Sequence, residues 1–306
     1  DVLFLKMSWF DIFLKIIMTL RLIKYIFQIE MQRMCFKMFT FCFELNTKMK
    51  KFKKHCIGCD KKMKNPTKEH FWPKWLIKHT KMEKHKIAWF NGKRIPPLTA
   101  TIPLCAECNS ELGGKLEDPM KNLLIDIESG KGISDNEAEI FIRWAWKMEG
   151  FSWRLVLPDG NYSSVYTVKD RVLKKIDQIR GELVLAIALV EDAYEGREYL
   201  PMGLCNFNEV NAIIVSGVIG HVAFIVLTED QIGKLPINYS YYRLNPLRDN
   251  LGDAKLFYPA IGFKTFRQAQ NLTRDAAQLI SYSLDKEKGD IFKQIEREEN
   301  GNVIVY

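Results

Sequence analysis

Two cysteine pairs with the spacing CxxC constrain this chain more than any other feature of its sequence. Cys56 and Cys59 form the first pair, and Cys105 and Cys108 form the second. Four thiolates in two such pairs are a common ligand set of a closed tetrahedral zinc site, in which the metal stabilises a fold without doing chemistry. The sequence therefore predicts a structural zinc ion and a segment that folds around it.

The number of cysteines argues against a secreted, disulfide-linked protein. The chain of 306 residues has seven cysteines, an odd number, and four of them stand in the two pairs. This pattern is typical of a reducing compartment, so we expect a cytoplasmic location. Cys35, Cys42 and Cys205 have no histidine close in sequence, and we predict that they are inert apolar thiols rather than nucleophiles.

Residues suited to a different kind of chemistry lie beside the cysteines. Glu69 and His70 stand between the two pairs, and Asn109 follows the second pair directly. Carboxylate and amide oxygens are hard ligands that suit Mg²⁺ or Mn²⁺. A neutral imidazole, with a pKa of about 6.5, can act as a general base at physiological pH. On an extended strand Glu69 and His70 would point to opposite sides, so one can bind an ion while the other faces water.

The cysteine pairs and the Glu-His step belong to a longer pattern. Its segments are Cys56-x2-Cys59, Thr67-Lys68-Glu69-His70-Phe71-Trp72-Pro73, Leu104-Cys105-x2-Cys108-Asn109 and Leu112-Gly113-Gly114-Lys115-Leu116-Glu117. Together they resemble the zinc-stapled branch of the HNH endonuclease family over residues 50–125. The resemblance implies a ββα-metal, treble-clef-like unit that cuts phosphodiester bonds with one divalent ion. It implies His70 as the general base and Glu69 and Asn109 as catalytic residues that bind Mg²⁺ or Mn²⁺.

Two positions depart from what the resemblance implies. Many family members carry a metal-binding histidine where this chain has Asn109, and they usually carry an asparagine shortly before the second cysteine pair to orient the base. Residues 99–103 hold no asparagine, and Asn91 belongs to a predicted Asn-Gly hairpin turn. We therefore expect Thr101 or a backbone carbonyl to orient His70. Glu117 either completes the divalent-ion site, caps a helix or pairs with Lys115.

The net charge of +8 is distributed unevenly along the chain. Residues 48–94 carry 16 Lys and Arg against three acidic residues, a balance of +13, whereas residues 95–306 carry −7. A polyanion would be attracted to the first of these segments, although a solvated lysine-rich surface is the simpler alternative. The lysines expected to contact nucleic acid are Lys61, Lys62, Lys64, Lys68, Lys74 and Lys78.

The remaining periodicity predicts an α+β fold, in which a small zinc-type unit (residues 48–132) precedes a larger domain with a mostly antiparallel sheet (residues 133–306). Ser134 and Glu137 form a capping box, which predicts a helix over residues 135–149 with an aromatic stripe in the core. We predict that His221 is structural and that His79 and His85 are solvated. The predicted strands are 153–157, 164–168, 183–190, 212–216 and 222–228, and the other predicted helices are 72–78, 110–127, 169–179, 266–283 and 285–299.

Residues 1–47 differ in composition from the rest. They contain eight of the 19 Phe and no Gly, Pro, Ala or His. We interpret the segment as upstream sequence read in frame, with the native start at Met49. A membrane anchor is the competing interpretation, but the longest charge-free run, Met38–Phe43, has six residues, whereas a spanning helix needs about 20. If the segment is native, it is an amphipathic helix that lies on another surface.

The sequence thus favours a metal-dependent HNH-type endonuclease of bacterial or phage type that acts on nucleic acid, with DNA preferred over RNA. The alternative is a zinc-stabilised nucleic-acid-binding or regulatory module without catalysis, because many zinc folds share the paired cysteines. The Glu69-His70 step is the feature that favours the enzyme. Residues 133–306 could recognise a target, assemble subunits or sense a ligand, and their sequence does not choose among these roles.

Overall fold

The computed structural model describes residues 55–88, 94–156, 167–174, 176–192, 202–204, 213–247 and 256–287. The chain divides into two compact units, Asp1–Thr47 and Lys48–Tyr306, and every described residue belongs to the second. The predictions for residues 1–47, Met49, Cys35, Cys42 and Cys205 lie outside the described residues. The predicted Asn91-Gly92 turn also lies outside them. The same holds for most of the strand predicted over residues 164–168 and most of the helix predicted over residues 285–299.

The first described elements are two antiparallel strand pairs and three helices. In chain order they are β1 (Thr67–His70), α1 (Lys74–His79), β2 (Ile87–Ala88), β3 (Arg94–Ile95), β4 (Thr101–Leu104), α2 (Ala106–Leu112) and α3 (Gly114–Glu128). β1 pairs with β4, so that Glu69 stands opposite Ile102 and His70 opposite Thr101. β2 pairs with β3 on either side of residues 89–93, as the predicted hairpin requires. The chain therefore has a strand–strand–helix unit in which β1 pairs with β4 and β4 leads directly into α2.

Two helices replace the single helix predicted over residues 110–127. α2 ends at Leu112 and α3 begins at Gly114, with Gly113 between them at φ −88° and ψ −101°. A Cβ on residue 113 would lie 2.3 Å from the Asn109 carbonyl oxygen, so only glycine fits this bend. The prediction of one continuous helix was wrong because hydrophobic periodicity does not report such a close backbone approach.

The second group of elements forms one sheet with helices packed against it. The elements are α4 (Asp135–Val156), α5 (Val168–Leu173), α6 (Ile176–Ile179), β5 (Leu183–Val190), β6 (Gly203–Leu204), β7 (Val215–Ile219), β8 (Val222–Thr228), β9 (Ser240–Arg243), β10 (Ala260–Phe263) and α7 (Phe266–Glu287). The strand order is β10-β5-β8-β7-β6, and β9 also pairs with β5. Only β10 runs parallel to its neighbour among the described strand pairs. The predicted α+β class with a mostly antiparallel sheet is confirmed.

Helix α4 is longer than predicted. The capping box is present, since the Ser134 N–H donates to Glu137 Oε2 at 2.8 Å. The helix then continues to Val156, so the strand predicted over residues 153–157 was wrong. A short apolar run is ambiguous between strand and buried helix, and here the buried residues Trp144, Met148 and Phe151 extend the helical stripe to that point. The helix predicted over residues 169–179 is likewise divided into α5 and α6.

One core runs through the described residues, from the first cysteine pair to α7. The rings of Phe141 on α4 and Phe224 on β8 lie 5.1 Å apart, in an edge-to-face contact. All seven residues of β8 are buried, so both faces of the sheet are covered there. The core is continuous across the predicted domain boundary at residues 132 and 133. None of the helices in the described ranges, including the two of 22 residues, has an apolar stretch that could cross a membrane.

Candidate functional site

The four paired cysteines converge at one place. Their Sγ atoms all lie within 4.8 Å of one another, and those of Cys59 and Cys105 are 3.9 Å apart. In a tetrahedral site with metal–sulfur bonds of about 2.3 Å, the sulfur atoms are about 3.8 Å apart. The thiols are free of disulfide bonds. The group could therefore hold a metal ion with little movement.

Backbone geometry holds each cysteine pair in place. In the first pair, the Cys56 N–H donates to the Lys61 carbonyl at 2.9 Å and the Asp60 N–H donates to the Cys56 carbonyl at 2.8 Å. Asp60 takes the left-handed conformation that the turn needs, with φ 60°. In the second pair, Cys105 caps α2, and its Sγ accepts from the Cys108 N–H. The Cys105 N–H in turn lies 3.3 Å from the Cys56 sulfur, so the two pairs are bonded to each other.

The surroundings of Gly58 leave little room for a side chain at this site. A Cβ at this position would lie 3.1 Å from both Cβ and Sγ of Cys108, and 3.3 Å from Cδ1 of Leu112. The φ angle of Gly58 is not positive, so the turn does not require a glycine here for its conformational freedom. The glycine instead lets the first cysteine pair approach α2 closely.

Without a cation, the thiols share their protons unequally. A hydrogen bond from Cys108 is the main reason why the pKa of Cys56 falls to about 4. The same bond raises the pKa of Cys108, and burial raises the pKa of Cys59. Metal binding requires deprotonated thiols and is therefore linked to proton release. A divalent cation bound between the four sulfur atoms would supply the positive charge that four adjacent thiolates need.

Glu69 and His70 lie at the end of β1, on the extended segment that the sequence predicted. Both side chains are partly buried, and as neighbours on a strand they face opposite ways. Burial is the main reason why the pKa of His70 lies below its ordinary value, and the nearby Lys74 cation lowers it further. A hydrogen bond to the Leu98 backbone opposes that shift. The imidazole is thus favoured in its neutral form, and its backbone contact is with Leu98, whereas Thr101 is its neighbour across the strand pair.

Charged groups of three elements surround the carboxylate of Glu69. Burial raises its pKa, the Lys147 cation lowers it, the Glu117 carboxylate raises it again, and the Lys74 cation lowers it. Lys147 lies on α4, Glu117 on α3 and Lys74 on α1. Sequence reasoning missed Lys147, because a lysine inside an apolar stripe carries no signal of the partner that it reaches.

Glu117 has a different set of partners from those predicted. It is 8 % exposed, and its carboxylate is bonded to Lys147 rather than to Lys115. Its Oε2 atom also accepts from the indole N–H of Trp75 at 2.7 Å and of Trp144 at 3.1 Å. Both oxygens are therefore engaged by protein donors. Of the three roles considered for Glu117, ion pairing is the one that these contacts favour.

Asn109 lies on α2, directly after Cys108, and is partly buried. Its backbone carbonyl accepts from the Gly113 N–H at 3.0 Å, and α2 packs against both β1 and β4. The six lysines Lys61, Lys62, Lys64, Lys68, Lys74 and Lys78 are all exposed. Among the described residues, the four cysteines are the one group of three or more His, Cys, Asp or Glu side chains near enough to share a metal ion.

Two histidines outside this site join α1 and α3 to the sheet. His79 Nε2 lies 3.0 Å from Glu128 Oε2, and Glu128 Oε1 accepts from the His221 N–H at 3.0 Å. The His221 ring is bonded to the Val190 carbonyl at 2.8 Å, in line with its predicted structural role. His79 was expected to be solvated, but its side chain is 27 % exposed and paired with Glu128. That contact is long-range in sequence, and the lysine-rich surroundings of His79 do not reveal it.

Comparison with known proteins found no match to this chain. No family model matches the chain, no curated protein matches it, and no solved structure matches it.

Proposed function

We propose that this chain is a metal-dependent HNH-type endonuclease that hydrolyses phosphodiester bonds of nucleic acid, with DNA preferred. The observation that carries the proposal is the strand–strand–helix unit with Glu69-His70 at the end of β1 and the second cysteine pair at the start of α2. This order of elements agrees with the ββα-metal unit that the sequence pattern implies. As part of the same proposal, the free thiols of both pairs suit a reducing, cytoplasmic location.

The proposal separates a structural ion from a catalytic one. The four sulfur atoms fit Zn²⁺, since soft thiolates in a closed set of four favour that ion. The oxygen atoms of Glu69 and Asn109 suit Mg²⁺ or Mn²⁺. When bound there, such an ion supplies Lewis acidity to the phosphate and to the leaving oxygen. Glu117 is left out of this ligand set, because Lys147 and two indoles already engage its oxygens.

His70 is the general base in this mechanism. Its neutral form, favoured by burial and by Lys74, can take a proton from the attacking water at neutral pH. The Leu98 backbone contact does the orienting work that a side-chain amide would otherwise do. The exposed lysines on the same segment contact the phosphate backbone, which fixes the substrate near β1 without reading its bases.

A cleavage assay with matched histidine variants tests the proposal. We would incubate the full chain with supercoiled plasmid or with RNA, in Mg²⁺ or Mn²⁺, beside His70→Ala and the control His85→Ala, which alters an exposed histidine of the same basic segment. Loss of a general base lowers the rate by about 10²–10⁴-fold, so cleavage should persist in the control and disappear in His70→Ala. Equal cleavage by all three proteins would rule out His70 as the general base, and no cleavage with metal bound would favour a zinc-stabilised binding module without catalysis.

A further inference from the structure

One buried carboxylate connects the elements that carry the proposed active site. Glu117 on α3 accepts from Trp75 on α1, five residues after His70, and from Trp144 on α4. It is also paired with Lys147, whose ammonium donates to the Leu112 carbonyl, at the end of α2, at 2.7 Å. Lys147 lies on α4 and Glu117 on α3, so this ion pair and its hydrogen bonds join α1, the end of α2, α3 and α4 to one another.

Stability alone is a poor reason for this pair. The side chains of Lys147 and Glu117 are 2 % and 10 % exposed, so both charges have lost most of their hydration. Burying an ion pair often contributes less stability than apolar side chains of the same volume, whereas removing one partner is costly. What such a pair does supply is fixed geometry, because each group has donors or acceptors in set directions.

The location of the pair gives that geometry a use. The pair bonds directly to the two elements that adjoin the proposed ion site, through the Trp75 indole on α1 and the Leu112 carbonyl at the end of α2. Trp75 belongs to the short helix that follows the Glu-His step, and Leu112 ends the helix that bears Asn109. A shift of α1 against α2 would therefore change the spacing between Glu69-His70 and Asn109.

We propose that Lys147 and Glu117 are positioning residues for the cleavage reaction. By holding α1 and the end of α2 to α4, they fix the end of β1, with Glu69 and His70, relative to Asn109. The inference rests on the proposed function for its effect on cleavage, but the coupling of α1 to α4 can be measured without it.

The test removes the charges while leaving the buried surroundings filled. In Glu117→Gln/Lys147→Met, glutamine and methionine keep the buried volume filled and no unpaired charge remains, but the Trp75 indole exchanges a charged acceptor for a weaker neutral one and the Leu112 carbonyl loses its donor. The matched control is Glu149→Gln/Arg171→Met. That pair is equally buried, with side chains 2 % and 1 % exposed, but its bond joins α4 to α5 rather than to α1. Thermal unfolding, amide hydrogen exchange, and kcat and KM would be measured for both double variants of the full chain.

A positioning role predicts a local effect in the first double variant. Amides of residues 67–79 should exchange about tenfold faster or more while global stability stays close to that of the control variant. A displacement of about 1 Å can lower the rate about 10²-fold, so kcat should fall with KM for nucleic acid little changed. The control variant should keep wild-type kcat and wild-type exchange over residues 67–79.

Exchange at the wild-type rate over residues 67–79 in Glu117→Gln/Lys147→Met overturns the inference, whatever the cleavage rate. Wild-type kcat in that variant, with His70-dependent cleavage by the unaltered chain, overturns it as well. If the unaltered chain does not cleave in a His70-dependent way, the proposed function fails, and the exchange measurement alone decides whether the pair couples α1 to α4. The two failures are thus distinguishable.

Discussion

Gly58 illustrates how closely the two cysteine pairs approach each other. The first cysteine pair packs closely against the helix that carries the second, and a Cβ on Gly58 would crowd Cys108 and Leu112. The residue types of this site are easy to read from the sequence, because CxxC spacing and an Asp or Glu before a histidine are local patterns. The reason for the glycine is not local, since its neighbours Cys108 and Leu112 are far along the chain.

Substitution of Gly58 by alanine should weaken the metal centre. The new Cβ would meet Cys108 at 3.1 Å, and a metal-bound cysteine cannot move aside. We expect a loss of about 1–3 kcal/mol of unfolding free energy, as in other overpacked sites, together with weaker zinc retention. Urea denaturation and measurement of bound zinc after chelator treatment would check both effects.

The control for this substitution is Gly114→Ala. A Cβ on residue 114 would have nothing within 4 Å, and the residue begins helix α3. Alanine there should leave stability unchanged or raise it by a few tenths of a kcal/mol up to about 1 kcal/mol. Equal stability of the two variants would contradict the close approach at Gly58.

Three elements meet at Glu128. They are the end of α1, the end of α3 and the turn between β7 and β8. Gly220, with φ 53°, forms that turn, and a Cβ there would lie 2.2 Å from Glu128 Oε1. The glycine lets the turn reach Glu128, which His79 also reaches. Helix α1 is thereby fixed at both ends, by Trp75 to Glu117 and by His79 to Glu128.

The His79–Glu128 contact predicts a pH-dependent contribution to stability. The hydrogen bond to Glu128 is the main reason why the pKa of His79 is raised. A group with a raised folded-state pKa contributes stability fully below its unfolded pKa, about 6.5, and loses it as the pH rises through the folded value. The difference in unfolding free energy between the wild type and His79→Gln should therefore be large at about pH 6 and should shrink at higher pH.

Urea denaturation across this pH range measures the effect, with His85→Gln as the comparison, because His85 is exposed. The wild type and His85→Gln should show the same trend with pH. A constant difference between wild type and His79→Gln at all pH values would mean that the contact contributes through packing rather than through charge.

For the whole molecule, the main feature is the segregation of charge along the sequence. The positive balance of residues 48–94 coincides with β1, α1 and the first cysteine pair, whereas residues 95–306 are acidic overall. A nucleic acid that binds this protein should therefore approach the segment around His70. This inference needs only the sequence and the exposure of the lysines on that segment.

Removal of two lysines from this segment should reduce the salt dependence of nucleic-acid binding. The slope of log K against log salt is negative, and each phosphate contact that is lost reduces its magnitude by about 0.9. Lys61→Ala/Lys62→Ala should therefore reduce the magnitude of the slope by nearly two. The matched control is Lys121→Ala/Lys264→Ala, which alters two exposed lysines outside the basic segment. Titration of a labelled duplex at several salt concentrations measures the slopes. Equal slopes for the two double variants would place the contact surface elsewhere.

Local sequence patterns were sufficient to predict the cysteine group, the extended Glu69-His70 segment, the capping box at Ser134 and the α+β class. These features depend on short-range spacing and on the periodicity of apolar residues, which a chain carries in its local order. Local patterns also produced two wrong predictions, the strand over residues 153–157 and the single helix over residues 110–127.

The contacts between residues far apart in the chain could be identified only from the folded structure. The bonds of Glu117 to Trp75 and to Lys147, the contact of Leu98 with His70, and the pairing of His79 with Glu128 all arise where separate elements pack together. The partner of a side chain depends on which elements pack together and at what distance. Neither can be predicted from the residue spacing within one segment. The sequence therefore named the chemical groups of the candidate site, and the packing of α1, α3 and α4 determined which of them act on one another.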